Sequence, residues 1–265
     1  MKARIVWLIL CGIWGSTWLF IKLGLQDLPP LTFAGIRFVF ASGILITIIL
    51  ARGVRWPRKR NEWLVIAHFY LPEERMSVKK ILGVSMGFVG VAIVFSDQLS
   101  IAGKGALLGS IALVMSALCG SYGNVLVKAY GTQIDPFVLA AGQMVCGFPP
   151  LLAVGIATEG NPFRFHWTPT AILALTYLVI VGSVIAFTLF YWLVRHMDVI
   201  NTMLISLVTP VIAVLLGMAV LHEQLNWRLF AGTAFIISGI GLIVLRKRQK
   251  SVAIDEEEPE MMAVG

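Results

Sequence analysis

Two stretches of this chain are copies of one plan, set at unequal spacing. ILGVSMGFVGVAIV, from Ile81 to Val94, recurs as FAGTAFIISGIGLI, from Phe230 to Ile243, which places Gly83 on Gly232, Gly90 on Gly239 and Glu74 on Glu223 at an offset of 149 residues. Nearer the start of each copy the offset is 106, with Lys22 on Lys128, Pro30 on Pro136 and Arg37 on Gln143. The 43 residues by which the first offset exceeds the second are present in the second copy and missing from the first, and they correspond to Leu173–Leu215. That is one whole apolar span and most of another. The chain is a duplicated module whose leading copy lacks a hairpin.

What the module is made of follows from its polarity. With 58% hydrophobic and 13% charged residues among 265, a water-soluble domain would carry one continuous aggregation patch. Runs near 20 apolar residues fit the length a helix needs to cross about 30 Å of hydrocarbon, and strand-like alternation is absent. The expected fold is all-α, a polytopic membrane helix bundle. The formal charge of +7 does not point to nucleic acid, because the cations sit in short loops beside spans and not along one face. Cys11, Cys119 and Cys146 lie inside apolar spans without paired spacing and read as packing residues.

Eight spans are expected, at about Ile5–Leu25, Leu31–Leu50, Ile81–Phe95, Gly105–Lys128, Pro136–Ala157, Thr170–Val194, Val199–Leu221 and Leu229–Leu245. The 11 residues Asn61–Leu71 would reach only ~16 Å as a helix, and they read as two truncated helices joined into an interfacial or re-entrant segment. Met1–Arg4 and the apolar run after it read as a retained first span, since no small-residue cleavage site follows. Lys2 and Arg4, the loop Arg52 to Arg60, the set Arg75, Lys79 and Lys80, and the end Arg246 to Lys250 fall on one side of an eight-span path. By the positive-inside rule both termini are cytoplasmic. The organisation is therefore a truncated first repeat over 5–96, a complete second repeat over 105–245, and a disordered cytoplasmic tail over 246–265. Gly83-x-x-x-Gly87 and Gly105-x-x-x-Gly109 permit close helix approach, within the chain or in an oligomer.

Charge inside hydrocarbon is costly, so intramembrane polar residues are the first functional candidates. Arg37 lies about seven residues into the second span, ~10 Å deep, and is read either as a snorkelling or packing arginine or as a solute contact. Gln143 is its counterpart, explained equally by an interhelical hydrogen bond. Lys22 and Lys128 sit near span ends and snorkel. No Asp or Glu occurs mid-span, which argues against carboxylate-based cation antiport; the cations tilt the solute toward anionic or zwitterionic. Trp7, Trp56, Trp63, Trp167 and Trp227 mark the membrane boundaries. Trp14 and Trp18, with Tyr122, Tyr191 and Trp192, lie deeper, where they line a cavity or simply pack. Asn201 and Ser206, with Pro210 interrupting their helix, either free carbonyls for a ligand or mark a kink. The chain has no H-E-x-x-H, no G-x-S-x-G and no phosphate-cradling loop, and its four histidines are scattered. No catalytic residue, metal ligand or cofactor is expected.

Ile13-Trp14-Gly15-Ser16 in the first span, Pro30 and Arg37 opening the second, Leu71-Pro72-Glu73-Glu74-Arg75 before a glycine-rich span, and Thr209-Pro210 followed by Leu221-His222-Glu223-Gln224-Leu225 resemble the drug/metabolite transporter superfamily, EamA type. The resemblance runs from Val6 to Leu245. It implies a ten-helix carrier of two inverted five-helix repeats, with a central cavity and alternating access by rocking of one half on the other. Here the third and fourth helices, which help to wall that cavity in the family, are reduced to Asn61–Leu71. The expected protein is an inner-membrane transporter of small organic metabolites or drugs, its cavity lined by Trp14, Arg37, Tyr122, Gln143, Tyr191 and Asn201. The alternative is a non-transporting remnant, or an accessory subunit that uses the incomplete half as a partner surface.

Overall fold

The computed structural model describes residues 2–57, 63, 127, 131, 133–197, 202, 205–221, 231, 234 and 238. The chain divides into two compact units, and nearly all described residues belong to the one formed by Met1–Pro72, Ser121–Asp198 and Val208–His222. Among the described residues all regular structure is helical: α1 (Lys2–Gly24), α2 (Pro30–Ala51), α3 (Pro136–Glu159), a short 3-10 turn (Pro162–Arg164), α4 (Pro169–Val179), a π turn (Ile180–Ile185), α5 (Ala186–His196) and α6 (Ile205–Leu221). Helices α1, α2 and α3, of 23, 22 and 24 residues, and the continuous 28-residue run from Pro169 to His196 are long and apolar enough to cross a bilayer. Outward-facing side chains such as Leu8, Leu50 and Leu173, 64%, 74% and 64% exposed, are then lipid contacts. The chain is a polytopic helical membrane protein.

Proline sets the starts of these helices. Pro30, Pro136 and Pro169 each open a helix, where the fixed φ suits the first turn and the missing N–H costs no bond. Asp135 accepts from the Phe137 N–H at 2.9 Å, and Thr168 accepts from the Ala171 N–H at 3.1 Å, so α3 and α4 cap themselves. Pro29 occupies the cap position of α2 and offers no side-chain acceptor. The cap comes instead from another helix: the Glu159 carboxylate, at the end of α3, accepts from the N–H groups of Leu31 at 2.8 Å and Thr32 at 2.7 Å. It satisfies two orphan donors and places a negative charge on the positive end of the helix dipole.

That contact fixes the direction of α3 relative to α2. The end of α3 meets the start of α2, while at the other extremity Arg52, just past α2, lies 4.8 Å over the ring of Phe137 at the start of α3. The two helices are antiparallel along their length. At the Glu159 end they approach closely: a Cβ on Gly155 would stand 2.7 Å from Thr32 Oγ1 and 2.9 Å from the Thr32 nitrogen, so only hydrogen fits there. Since lipid is as apolar as any side chain, such small-residue contact and interhelical hydrogen bonding hold the pair. The packing of α1 against the Pro169–His196 run is antiparallel too, because Trp14 meets Phe187 and Phe190 whereas Phe20, further along α1, stacks on Tyr177.

One end of the unit thus holds Asp27, Pro30, Glu159 and Thr168, and Thr168 donates to Asp27 Oδ2 at 2.5 Å. The other end gathers Lys2, Arg4, Arg52, Arg55 and Arg195, with Asp135. The predicted spans at Ile5–Leu25, Leu31–Leu50, Pro136–Ala157 and Thr170–Val194 match α1, α2, α3 and the Pro169–His196 run to within a few residues. Helix α3 continues through Pro149 and Pro150, as its predicted span did. One detail was not predicted: the long run changes to a π turn at its middle. Helix α6 covers the later part of the seventh predicted span; the third, fourth and eighth spans, Asn61–Leu71 and the tail lie outside the described residues, apart from isolated positions.

Candidate functional site

Arg37, on α2, is a half-buried charge well inside the span. Its Nε donates to Ser183 Oγ at 2.7 Å and its Nη2 to the Gly182 carbonyl at 3.0 Å. Both acceptors belong to the π turn, and Ser183 is completely buried. A π turn shifts the backbone bonding by one residue, which re-aims carbonyls and side chains that a continuous α-helix would keep in register. Gly182 sits where α1, α2 and the turn converge: a Cβ there would be 2.9 Å from Thr17 Cγ2 and 3.4 Å from Arg37 Nη2. Glycine therefore allows the guanidinium to reach the backbone.

Of the sequence readings for Arg37, these bonds are those of a helix-packing arginine and not of a snorkelling one. Arg37 is seven residues from the Pro30 end, ~10 Å by helical rise, and Ser183 is fourteen from the Pro169 end, ~21 Å. The guanidinium is engaged with the interior of a neighbouring helix, not with the nearer surface. Its two hydrogen-bond partners are neutral, as is the Phe38 ring 5.5 Å from its Cζ. The three carboxylates among the described residues are all engaged elsewhere: Asp27 with Thr168, Asp135 with Phe137 N and Glu159 with the start of α2. Arg37 is half-buried, and its charge has no counter-ion among the described residues.

A second cluster surrounds Tyr191, 2% exposed on α5. Its hydroxyl donates to Gln143 Oε1 on α3, so the residue that replaces Arg37 in the second copy forms the interhelical hydrogen bond that its sequence allowed. The Tyr191 ring packs on Phe190 at 5.4 Å and Phe187 at 6.5 Å, and Trp14 touches the same two phenylalanines at 5.1 and 6.0 Å. Trp14, Gln143 and Tyr191 are thereby linked, while Arg37 contacts the turn immediately before α5. Trp18 is 55% exposed, and Trp192 stacks on His196 with centroids 4.1 Å apart. Tyr122 and Asn201 lie outside the described residues.

Sequence reasoning passed over four residues that the structure makes prominent. Ser183 and Gly182 carried a weak signal, a polar-small pair inside an apolar span. Tyr177 carried none: its hydroxyl pairs with Ser16 Oγ at 2.6 Å, and because Ser16 also donates to the Ile13 carbonyl at 2.8 Å, Tyr177 is the donor of the pair. Glu159 looked like an ordinary loop acid. Among the described residues no three His, Cys, Asp or Glu side chains are grouped to hold a metal ion.

This arrangement can be set beside known proteins. The uncharacterized transporter YvbV of Bacillus subtilis (strain 168) is 27% identical over 287 aligned positions, covering 93% of this chain and 93% of its own. The uncharacterized inner membrane transporter YedA of Escherichia coli (strain K12) is 26% identical over 273, covering 89% and 88%. A solved crystal structure superposes with a TM-score of 0.60 at 18% identity, over 92% of this chain and 97% of that one, which supports the fold alone. The profile of the EamA-like transporter family matches residues 2–71 and 107–245. With most of its length matched and its helices of membrane-crossing length, the chain belongs to the EamA-like transporter family.

Proposed function

We propose that this protein carries small organic metabolites or drugs across the inner membrane by alternating access, with two inverted repeats rocking about a site that includes Arg37, Trp14, Gln143 and Tyr191, and with Tyr122 and Asn201 completing it. The observation that carries the reading is the antiparallel pairing of α2 and α3. These helices occupy equivalent places in the two copies, since Pro30 aligns with Pro136 and Arg37 with Gln143. Equivalent helices that run oppositely and touch are the geometry of an inverted repeat, whose two halves are able to exchange conformations across a pseudo-two-fold axis. The solute drives such an exchange only by binding the two states unequally.

The first repeat is the incomplete one. In support, the alignments to YvbV and YedA run to 287 and 273 positions while covering 93% and 89% of 265 residues, so about 40 positions in each have no residue of this chain opposite them. The gathering of Lys2, Arg4, Arg52, Arg55 and Arg195 at one end of the unit supports a cytoplasmic placement of that end. Reconstitution of the purified chain in liposomes tests the function. Saturable uptake of at least one organic solute is expected; its absence for every solute tried, when a version with the missing hairpin restored is active, refutes transport by this chain.

A further inference from the structure

We infer that the unengaged edge of the Arg37 guanidinium, held out by Ser183 and the Gly182 carbonyl, is the subsite that receives the carboxylate of the transported solute. The inference rests on the transporter reading and narrows it to solutes bearing a carboxylate. A guanidinium carries five N–H donors, and two are spent on Ser183 and Gly182. Those bonds fix its plane without neutralising its charge. Asp27, Asp135 and Glu159 are committed at helix ends, so the described residues supply no anion. A charge kept inside a membrane bundle calls for pairing, and a planar fork with free parallel N–H groups matches a carboxylate in bidentate fashion.

The turn contributes more than an anchor. The π turn at Ile180–Ile185 presents a carbonyl and a hydroxyl to the same side chain. Ser183 is a positioning residue: it acts by orienting Arg37.

The test is arginine labelling with phenylglyoxal, followed residue by residue by mass spectrometry on the purified full chain. Acetate is the probe, the carboxylate alone, with acetamide as its neutral counterpart and exposed Arg55 as the reference. At twice its dissociation constant acetate should slow labelling of Arg37 about threefold, by simple mass action, and leave Arg55 unchanged; acetamide should protect neither. Ser183→Ala should label faster at Arg37 yet keep protection by acetate. Equal protection by acetamide, no protection by acetate, protection by inorganic phosphate in place of acetate, or an Arg37 that resists labelling in both wild type and Ser183→Ala overturns the subsite. Protection without uptake in liposomes, when the version with the hairpin restored is active, sinks the transporter reading and leaves a carboxylate subsite standing; uptake without protection does the reverse.

Discussion

Glu159 shows how much a residue at a helix end can do in a membrane bundle. Its two carboxylate oxygens each take one N–H from the first turn of α2, a helix that begins with two prolines and has no acceptor of its own. Glu159→Ala should destabilise the protein by about 1–2 kcal/mol, the range for a lost cap plus a lost charge at a helix start, read as a lower midpoint of thermal unfolding in detergent. Glu159→Gln should recover part of that, since one oxygen remains; an unchanged midpoint in Glu159→Ala would remove the cap from the account. Tyr191 and Gln143 make the second residue-scale case. Across a double-mutant cycle of Tyr191→Phe and Gln143→Leu, a coupling of about 1 kcal/mol is expected for a buried neutral hydrogen bond, and additive effects would show that the two contribute independently.

At the scale of elements, the α2–α3 pair is the frame on which the site is hung. Gly155 faces the backbone of Thr32, which cannot swing away as a side-chain tip would, so Gly155→Ala must push the helices apart; about 1–3 kcal/mol is expected for such overpacking. Gly43, on the same helix pair, has nothing within 4 Å of its would-be Cβ. Gly43→Ala should therefore be neutral or gain about 0.5–1 kcal/mol from the lower flexibility of alanine. Thermal unfolding of the two variants side by side checks the contrast, and equal effects would argue that the helices are not in the close contact described. The run from Pro169 to His196 is the opposite kind of element. Its irregular turn is where Arg37 and Thr17 meet Gly182 and Ser183.

For the whole molecule, duplication and charge make a joint prediction. Deleting a hairpin removes two crossings and preserves parity, so both termini should lie on the same, cytoplasmic face. Tags at each end, assayed for access from either side of sealed vesicles, check this; tags on opposite faces would break the inverted-repeat account and the placement of the basic end with it. The membrane bundle was legible from hydropathy because a 20-residue apolar run has few other fates. The four described spans fell close to their predicted positions since proline and a capping side chain mark helix starts locally, as at Asp135-Pro136 and Thr168-Pro169. Arg37 stood out for the same kind of reason, a lone charge in an apolar run being visible without knowing its neighbours. Ser183 gave only a weak signal, because a serine in an apolar helix stands out little until the bundle brings α2 against it. Glu159 and Tyr177 were passed over likewise: their partners, Leu31 and Thr32 in one case and Ser16 in the other, are more than a hundred residues away.

The amino-acid sequence by itself determined the solvent and the helical fold class, since these depend on composition and run length, properties of residues near one another in the chain. The tertiary structure decided what each polar group is for. A hydrogen bond or a buried charge has meaning only with its partner, and in this bundle the partners come from helices that chain order keeps apart.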